Sequence, residues 1–518
     1  MQLQRNFVAS LAFYAKGLSG VNTLRRGMLR NLLGLAQRHV KVGAMTTPVT
    51  LPLWAFALIL LFAAVTFASH FLFPSVRWFF RKRAERVVAR LNQRLQKPIE
   101  PFKLARRYDM IQRLIYDPEV TQAIVDHARE NDLPENVAFE QAKRYAREIV
   151  PSFSATAYFT FGTRLAKWLT KAIYRVRLGA FDRDRLEAID PDATVIFVMN
   201  HRSNMDYVLV TYLVSRAGAL SYAVGEWARV WPLSAMIKMM GAYFIRRKSR
   251  GQLYRKVLAR YVQMATAAGV TQAVFPEGGL SITGRLAEPK LGLLSYIVAD
   301  WTPAQREVIF VPVALNYDRV LEDRFLVAAD KTGVRRFRPP LWTMFTALMA
   351  HLWSRVRGRF KGFGVASVGF GEPLELSSFV EGREGDQTMA VAAELMERIG
   401  QVVPVLSTPV VARALTLGAA TREALIEAVT RDLAELRQRR MPMPRRPPEE
   451  IASETLAKLV DRELARVDGS SITVTEDGAA ILTYYAETIA HHFSREDAEV
   501  GNRGAAVEVE QVSAARRT

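Results

Sequence analysis

Between Asp192 and about Leu374 the chain alternates short apolar runs with helical segments, and this alternation restricts its fold more than any other feature. The stretches between the runs, notably Leu253–Ala267, have helical spacing. Strands alternating with helices predict an α/β fold, in which helices flank a mixed sheet on both faces. Six runs have the length and composition of buried strands: Thr194–Met199, Leu220–Val224, Ala242–Ile245, Thr271–Phe275, Val308–Asn316 and Val365–Phe370.

The chain on both sides of this region is helical in pattern. Residues 84–178 and 377–438 carry apolar positions at helical spacing. A proline-containing linker, Arg439–Glu449, precedes a last helical unit that ends near Phe493, and the polar stretch after it predicts disorder. The predicted organisation is a basic extension, a membrane anchor, a helical N-terminal region, an α/β domain, a helical C-terminal region and a disordered tail, over residues 1–44, 45–80, 84–178, 179–376, 377–495 and 496–518.

A run without Asp, Glu, Lys or Arg extends from Val49 to Ser75. About 20 apolar residues are enough for a helix to span a bilayer, so the run predicts an N-terminal membrane helix. The alternative is a buried core helix. Basic residues follow the run, and by the positive-inside bias they place the catalytic region on the cytoplasmic side, at the inner membrane if the chain is bacterial: Arg77, Arg81, Lys82, Arg83 and Arg86.

Two further segments bear on membrane attachment. Residues 1–44 carry seven Lys or Arg and no acid. They are either an amphipathic targeting or interface segment, or an extension ahead of a natural start at Met45. The apolar segment Pro340–Trp353 is flanked by arginines and is too short to span a bilayer. It is interpreted as a helix in the membrane interface or, alternatively, as a core helix.

Charge and cysteine content limit the classes of binding partner and of reactive site that the chain can have. The chain has 71 Lys and Arg against 51 Asp and Glu, a formal net charge of +20. This balance suits nucleic acid, anionic membrane lipids or an acidic protein, but no zinc-finger, ribonucleoprotein or basic-zipper pattern supports nucleic acid. Because the chain has no cysteine, disulfides, thiolate metal sites and a cysteine nucleophile are excluded. No HExxH pattern occurs, so no metal site is expected.

A histidine and an aspartate stand where the first predicted strand turns into a helix. Four residues separate His201 from Asp206, and such a turn can aim both side chains at a substrate. The pair can work as a general base, in which His201 takes a proton from a hydroxyl while Asp206 orients the ring. The alternatives are a turn histidine beside an aspartate that favours the helix N-terminus, and a nucleophilic Ser203 next to the histidine.

Two later segments contain predicted strands and carry further candidate residues. Arg246 and Arg247 end a short strand and suit a phosphate, which paired arginines grip bidentately; the alternative is a solvated strand end. Phe310–Asp318 is a core strand that can also line an acyl-binding wall.

The segment between them, Phe275–Arg285, holds an acid and two glycines after a strand. Glycines let the backbone approach a ligand closely, and the acid can bind a substrate hydroxyl or support the turn. Two basic residues beyond the glycines can reach a phosphate. The candidates are Glu277, Gly278, Gly279, Arg285 and Lys290.

Taken in order, these four segments resemble the four blocks of the glycerophospholipid acyltransferases, and most of all those of the glycerol-3-phosphate acyltransferase family. The resemblance covers about residues 105–495. It rests on His201-Arg202-Ser203, Met205-Asp206-Tyr207, Gly241-Ala242 with Phe244–Arg247, Tyr317–Glu322, and the C-terminal Leu482–Tyr485 with Ile489–His491.

The resemblance implies an acyltransferase fold and transfer of a fatty acyl group to the sn-1 hydroxyl of glycerol 3-phosphate, which gives lysophosphatidate for phospholipid synthesis. Acyl-CoA or acyl carrier protein would carry the thioester. His201 would be the base and Asp206 its partner, with no cofactor and no covalent intermediate.

The third block departs from the family pattern. Leu280 and Ile282 occupy positions where the family has arginines, so the acceptor phosphate would rest on the remaining basic residues of the second and third blocks. The departure leaves two alternatives open, namely acylation of lysophosphatidate or another phosphorylated acceptor, and a catalytically silent membrane protein of the same fold.

Overall fold

The computed structural model of the chain describes residues 52–93, 95, 97–214, 218–225, 233–246, 251–333, 353 and 362–493, with the side chains of residues 68–81, 84 and 87 also outside the description. The chain divides into two compact units, Met1–Lys82 and Arg83–Thr518. The predictions for residues 1–44 and 496–518, for Arg247, and for the apolar segment 340–353 apart from Trp353 lie outside the described residues.

The elements follow one another along the chain as helices interleaved with short strands. A π-helical turn, Ala157–Gly162, precedes α6, and a 3-10 turn, Ala490–His492, ends the described chain. The helices are α1 (Leu53–Asn92), α2 (Pro101–Leu104), α3 (Arg107–Ile115), α4 (Pro118–Glu130), α5 (Glu135–Ile149), α6 (Thr163–Ile173), α7 (Arg183–Glu187), α8 (Met205–Val214), α9 (Leu233–Met239), α10 (Gln252–Ala267), α11 (Gly292–Val298), α12 (Asp323–Thr332), α13 (Leu376–Val380), α14 (Gln387–Gln401), α15 (Ser407–Thr416), α16 (Arg422–Gln438), α17 (Pro448–Asp461) and α18 (Glu476–Glu487). The strands are β1 (Arg175–Leu178), β2 (Thr194–Met199), β3 (Ser221–Val224), β4 (Tyr243–Phe244), β5 (Gln272–Val274), β6 (Val308–Tyr317), β7 (Val365–Phe370), β8 (Leu374–Glu375), β9 (Ala465–Asp468) and β10 (Ser471–Val474).

Eight strands form one sheet in the order β1-β7-β6-β2-β5-β3-β4, with β8 beside β6. Strands β6, β2, β5, β3 and β4 run parallel to one another, whereas β7 and β8 are antiparallel to β6. The central strands β2 and β6 are buried over their whole length, as expected of strands that are covered on both faces. The predicted α/β class, a mixed sheet flanked by helices, is confirmed.

Alternate residues of β2 enter two separate hydrophobic cores. Val195, Phe197 and Met199 pack in a core with α8 and the C-terminal helices α15–α18. Ile196 and Val198 pack on the other side of the sheet with the N-terminal helices α3–α5 and with α10, α11 and α14. The helical regions on either side of the α/β segment therefore cover the sheet together with α8, α10 and α11 of the segment itself, while the predicted domain boundaries stay predictions.

Two strand regions were predicted to be helical, and that prediction was wrong. Strand β1 lies at the end of the predicted helical region 84–178 and pairs in parallel with β7; its two arginines suit a sheet edge, which charged side chains protect from further pairing. Strands β9 and β10 form an antiparallel hairpin inside the C-terminal region, joined by Gly469-Ser470. Gly469 has a φ of +57°, which suits the first loop position of a two-residue hairpin.

Helix α1 continues beyond the predicted end of the anchor at residue 80, because the following residues include no glycine or proline that would stop it before Asn92. Its large apolar side chains are exposed from Leu53 to Phe67. Among the helical segments whose side chains the structure describes, none is long and apolar enough to cross a membrane.

Candidate active site

The carboxyl ends of β2, β5 and β6 meet at one edge of the sheet, and the candidate residues follow these ends. Asn200, the first residue after β2, fixes the turn: its side-chain amide donates to the Leu315 carbonyl at 3.0 Å and accepts from the Leu315 amide at 2.7 Å. Crevices beyond the carboxyl ends of parallel strands are the usual ligand sites of α/β sheets. Asn200 was not predicted from the sequence as a site residue.

The carboxylate of Asp206 accepts hydrogen bonds from several groups of the turn. Oδ2 accepts from His201 Nδ1 at 2.9 Å, from the Arg202 amide at 2.7 Å and from the Ser203 amide at 3.0 Å. Oδ1 accepts from the Tyr317 hydroxyl at 2.6 Å. The residue also lies in the first turn of α8, where the helix dipole favours negative charge. The structure therefore brings together the predicted pair and fixes both oxygens of its carboxylate.

The His201 ring is buried and held on three sides. It packs on Phe275, with ring centroids 4.2 Å apart, and meets Tyr207 edge-on at 5.4 Å. Since Nδ1 faces the carboxylate of Asp206, we assign the ring proton to Nδ1, which leaves the Nε2 lone pair free to accept a proton. No hydrogen bond to Nε2 is recorded from any described residue.

Tyr317 ends β6 and is fully buried behind Asp206. Burial raises the pKa of its phenol well above the usual value, and the charge of Asp206 raises that pKa further. The phenol therefore stays protonated and donates a hydrogen bond to the Asp206 carboxylate. Sequence analysis placed Tyr317 in a core strand and missed this contact, because its partner is 111 residues away.

Glu277 supports the turn from the neighbouring strand. Its carboxylate accepts from the His201 amide at 2.9 Å and from the Ala287 amide at 3.3 Å. Burial raises its pKa, while Arg202 opposes that shift. Of the two roles predicted for Glu277, these contacts favour support of the turn. The next residue, Gly278, has a φ of +68°, and a Cβ there would lie 2.8 Å from Lys290 Cδ, so Lys290 crosses directly over this turn.

Ser203 and Arg202 are held by other partners. The Ser203 hydroxyl donates to Glu322 at 2.7 Å and accepts from the Met205 amide at 3.1 Å, so it caps α8, and no contact with His201 is recorded for it. Arg202 is fully buried; its Nη1 donates to the Gly284 and Arg285 carbonyls, and its Nε and Nη2 have no hydrogen-bond partner among the described residues. These contacts do not favour Ser203 as a nucleophile.

Two of the predicted phosphate ligands, Arg246 and Arg285, have carboxylate partners in this structure. Arg246 follows β4 and makes two bonds to Glu148, at 2.9 and 2.6 Å. Arg285 makes two bonds to Glu487, at 2.6 and 2.7 Å, and is 60% exposed. The hydrogen bond and charge of each partner raise the pKa of both guanidinium groups. A phosphate at either arginine would therefore have to share it with a carboxylate or displace that carboxylate.

The two apolar replacements in the third block are structural in part. Leu280 and Ile282 are partly buried and pack against the core that contains α8. Within the described part of the chain, no group of three or more acidic, histidine or cysteine side chains could hold a metal ion.

Two models of known protein families match separate regions of this chain. The family model "Acyltransferase" matches residues 182–316, and the "Glycerol-3-phosphate acyltransferase C-terminal region" matches residues 350–496. The chain is 28% identical over 443 residues to a glycerol-3-phosphate acyltransferase of Pseudomonas entomophila (strain L48). The aligned region covers 80% of this chain and 52% of the relative. The chain belongs to the glycerol-3-phosphate acyltransferase family.

A second member of the family, the glycerol-3-phosphate acyltransferase of Pseudomonas putida (strain KT2440), is 29% identical over 421 residues, 76% of this chain and 49% of its own length. The chain thus spans about half the length of the curated relatives it matches. The crystal structure of the 1-acyl-sn-glycerophosphate acyltransferase from Thermotoga maritima aligns with 47% of this chain and 78% of its own, at 20% identity and a TM-score of 0.28.

Proposed function

We propose that this chain transfers a fatty acyl group from a thioester to the sn-1 hydroxyl of glycerol 3-phosphate. One observation carries the proposal: His201 presents a buried imidazole whose Nδ1 is bonded to Asp206 and whose Nε2 has no recorded partner among the described residues. A histidine in this state can act as a general base. The names of the relatives in the same family supply the acceptor.

In the proposed reaction Nε2 of His201 removes the proton of the acceptor hydroxyl. The hydroxyl oxygen forms a bond to the thioester carbonyl carbon, the carbon–sulfur bond breaks, and the thiolate leaves with the proton from the imidazolium. Asp206 balances the positive charge of that imidazolium while the charge exists. The transfer is direct and needs no covalent enzyme intermediate.

A cavity whose lining is mainly apolar, with Lys97, Arg183, Glu187 and Asp190 as its charged members, supports a long acyl chain as the donor group. It has a volume of about 630 Å³, within the range of ligand pockets. Its walls include Val195 and Phe197 of β2, whose side chains lie in the same core as the His201 neighbours Tyr207 and Phe275. The Cα of Phe197 stands about 13 Å along the strand direction from that of His201. We propose that this cavity holds the distal part of the chain.

For the acceptor phosphate we retain Arg246, Arg247, Arg285 and Lys290 as the proposed ligands. Among the proposed ligands that the structure describes, Lys290 lies nearest the turn of the site. Its side chain lies over Gly278, next to Glu277, whose carboxylate accepts from the His201 amide. Arg246 and Arg285 require an exchange of partners, because Glu148 and Glu487 occupy their guanidinium groups.

The acyl donor and the location are also proposals. Acyl-CoA and acyl carrier protein both present a thioester beside acidic groups, which suits a chain of net charge +20. The exposed apolar side chains at the start of α1 support attachment to a membrane, and the basic residues after them support a cytoplasmic position for the α/β region.

Lysophosphatidate remains the second candidate acceptor, and a specific observation favours it. Leu280 and Ile282 place apolar side chains in the third block, where they pack on the core rather than carry charge. A lysophosphatidate acceptor brings an acyl chain of its own, which such side chains can contact.

The test is an acyl-transfer assay on the purified full chain in detergent, with labelled glycerol 3-phosphate or lysophosphatidate, acyl-CoA or acyl carrier protein as donor, and chromatographic identification of the product. The proposed base is tested by His201→Ala, which should lower the rate by roughly 10²–10⁴-fold. Near-full activity in that variant would contradict the mechanism. Leu280→Arg separates the acceptors: it should lower the KM for glycerol 3-phosphate if the pocket is the family's, and block the reaction if the pocket serves lysophosphatidate.

A further inference from the structure

Helix α6 and the π-helical turn before it expose one face that combines aromatic and basic side chains. Phe161 and Trp168 are 56% and 55% exposed. Arg164, Lys167 and Lys171 are exposed on the same side, because positions three, four and seven residues apart share one face of a helix. These five residues are called the α6 face below.

The α6 face carries no opposing charge of its own. Residues 151–181 contain no Asp or Glu, and no ion pair is recorded for its three basic residues among the described part of the chain. The inner side of α6 is covered, since Ala166, Thr170 and Ile173 are buried. An aromatic and basic surface without acids is thus left facing outward on a helix that is fixed to the protein.

We propose that the α6 face binds the surface of a bilayer that contains anionic lipids. Tryptophan and phenylalanine beside Lys and Arg are the composition of interfacial helices, and aromatic side chains anchor at the level of the headgroups. A protein partner fits less well, because the centres of protein interfaces are depleted in lysine. The basic side chains attract anionic headgroups, and their aliphatic stems keep the charges in the aqueous layer.

The inference deepens the proposed function and rests on it for its purpose, since a lipid product has to leave into a bilayer. Helix α6 packs directly against α8, whose first turn carries Asp206. The preceding segment contacts the end of α9, just before the second block: the Ser154 amide donates to the Met239 carbonyl at 3.0 Å. Docking of the α6 face would therefore hold the candidate active site close to the lipid surface.

The chain has no cysteine, so a single introduced cysteine gives a unique labelling position. Thr160→Cys places an environment-sensitive label on the exposed side of the π-helical turn, and Met389→Cys places it on an exposed position of α14 as the control. The labelled full chain is mixed with vesicles of phosphatidylcholine, with or without phosphatidylglycerol, that carry a lipid-borne quencher. The readout is local, so attachment elsewhere in the chain does not produce it.

We expect quenching at position 160 with phosphatidylglycerol vesicles, weakened by salt, and none at position 389. Neutralising the three basic residues (R164Q, K167Q, K171Q) should lower the ratio of docked to undocked label by roughly a hundredfold, because each charge contributes about a fivefold factor. The matched control removes three exposed charges from α16 (R422Q, R431Q, R437Q) and should leave the quenching unchanged.

Equal quenching at both label positions, or quenching at 160 that survives the neutralisation, would overturn the proposal. So would a label that responds to acyl carrier protein but not to vesicles. The assay needs no turnover. A chain that docks but transfers no acyl group would refute the proposed activity alone, and an active chain whose position 160 never contacts lipid would refute this inference alone.

Discussion

Removal of the Tyr317 hydroxyl tests the chain of hydrogen bonds behind His201. In Tyr317→Phe the Oδ1 atom of Asp206 loses its 2.6 Å donor, a charge-assisted bond that contributes about 1.5–3 kcal/mol. The carboxylate then attracts the imidazole proton more strongly. If about half of that energy reaches the ring, the acidic limb of the pH profile of kcat/KM should move to higher pH by roughly 0.5–1 unit.

The direction follows from the protonation state that the reaction needs. Only the neutral imidazole can take a proton, so a ring that holds its proton to higher pH loses activity on the acidic side first. Other charged groups near the pair, namely Glu277, Glu322 and Arg202, are unchanged in this variant. On the alkaline plateau kcat should fall by less than about tenfold, because the three donors to Oδ2 still hold the carboxylate in place.

The matched control is Tyr174→Phe. Tyr174 is also buried, its ring lies 5.2 Å from that of Tyr317, and its hydroxyl donates to the Arg319 carbonyl rather than to Asp206. Both variants should lower the free energy of unfolding, but only Tyr317→Phe should move the pH profile. An unmoved profile, or a shift of equal size in both variants, would show that Tyr317 supports the fold and does not tune the base.

Four further variants test the substrate contacts. Arg285→Ala should raise the KM for the acceptor by roughly ten- to a hundredfold if the guanidinium binds its phosphate; Glu487→Gln should then lower that KM, whereas equal effects of both changes in steady-state assays would indicate only a structural ion pair. Lys290→Ala should raise the same KM and leave that of the thioester nearly unchanged, and equal changes in both would contradict phosphate binding. Leu213→Trp should fill part of the mainly apolar cavity and shift preference to shorter acyl-CoA donors, measured as kcat/KM across chain lengths; an unchanged preference would place the acyl chain elsewhere.

The strands of the sheet could be predicted largely because burial leaves a direct signature in the sequence. Strands β2 and β7 coincide with the predicted runs, since a strand covered on both faces reads as a continuous apolar segment. Strand β1 contains two arginines and is recognisable only through its pairing with β7. The β9–β10 hairpin did carry a local signal in Gly469-Ser470, but the neighbouring helical pattern obscured it.

The candidate site was predictable where its residues are close in sequence. His201 and Asp206 sit in one turn, so their spacing was enough to suggest the pair. Three other contributors act across long separations: Asn200 bonds Leu315, Tyr317 bonds Asp206 and Glu322 bonds Ser203, over 115, 111 and 119 residues. Their roles depend on β6 lying beside β2, which no local pattern states.

The C-terminal helices complete the site from behind. The Tyr485 hydroxyl of α18 accepts from the Val320 amide at 2.9 Å and donates to Asp323 at 2.6 Å. These contacts flank Glu322, the residue that holds Ser203 and Asn204.

A second connection runs through Arg202, whose guanidinium donates to the Gly284 carbonyl. Burial raises the pKa of the Tyr484 phenol, and the charge of Arg202 opposes that shift. A Cβ at Gly284 would lie 2.0 Å from the Tyr484 carbonyl, so the third block packs against α18 without a gap. Because buried polar groups are costly when a partner is lost, the turn that carries His201 depends on the C-terminal region for its geometry. The two matched regions of the chain therefore form one structural unit around the candidate base.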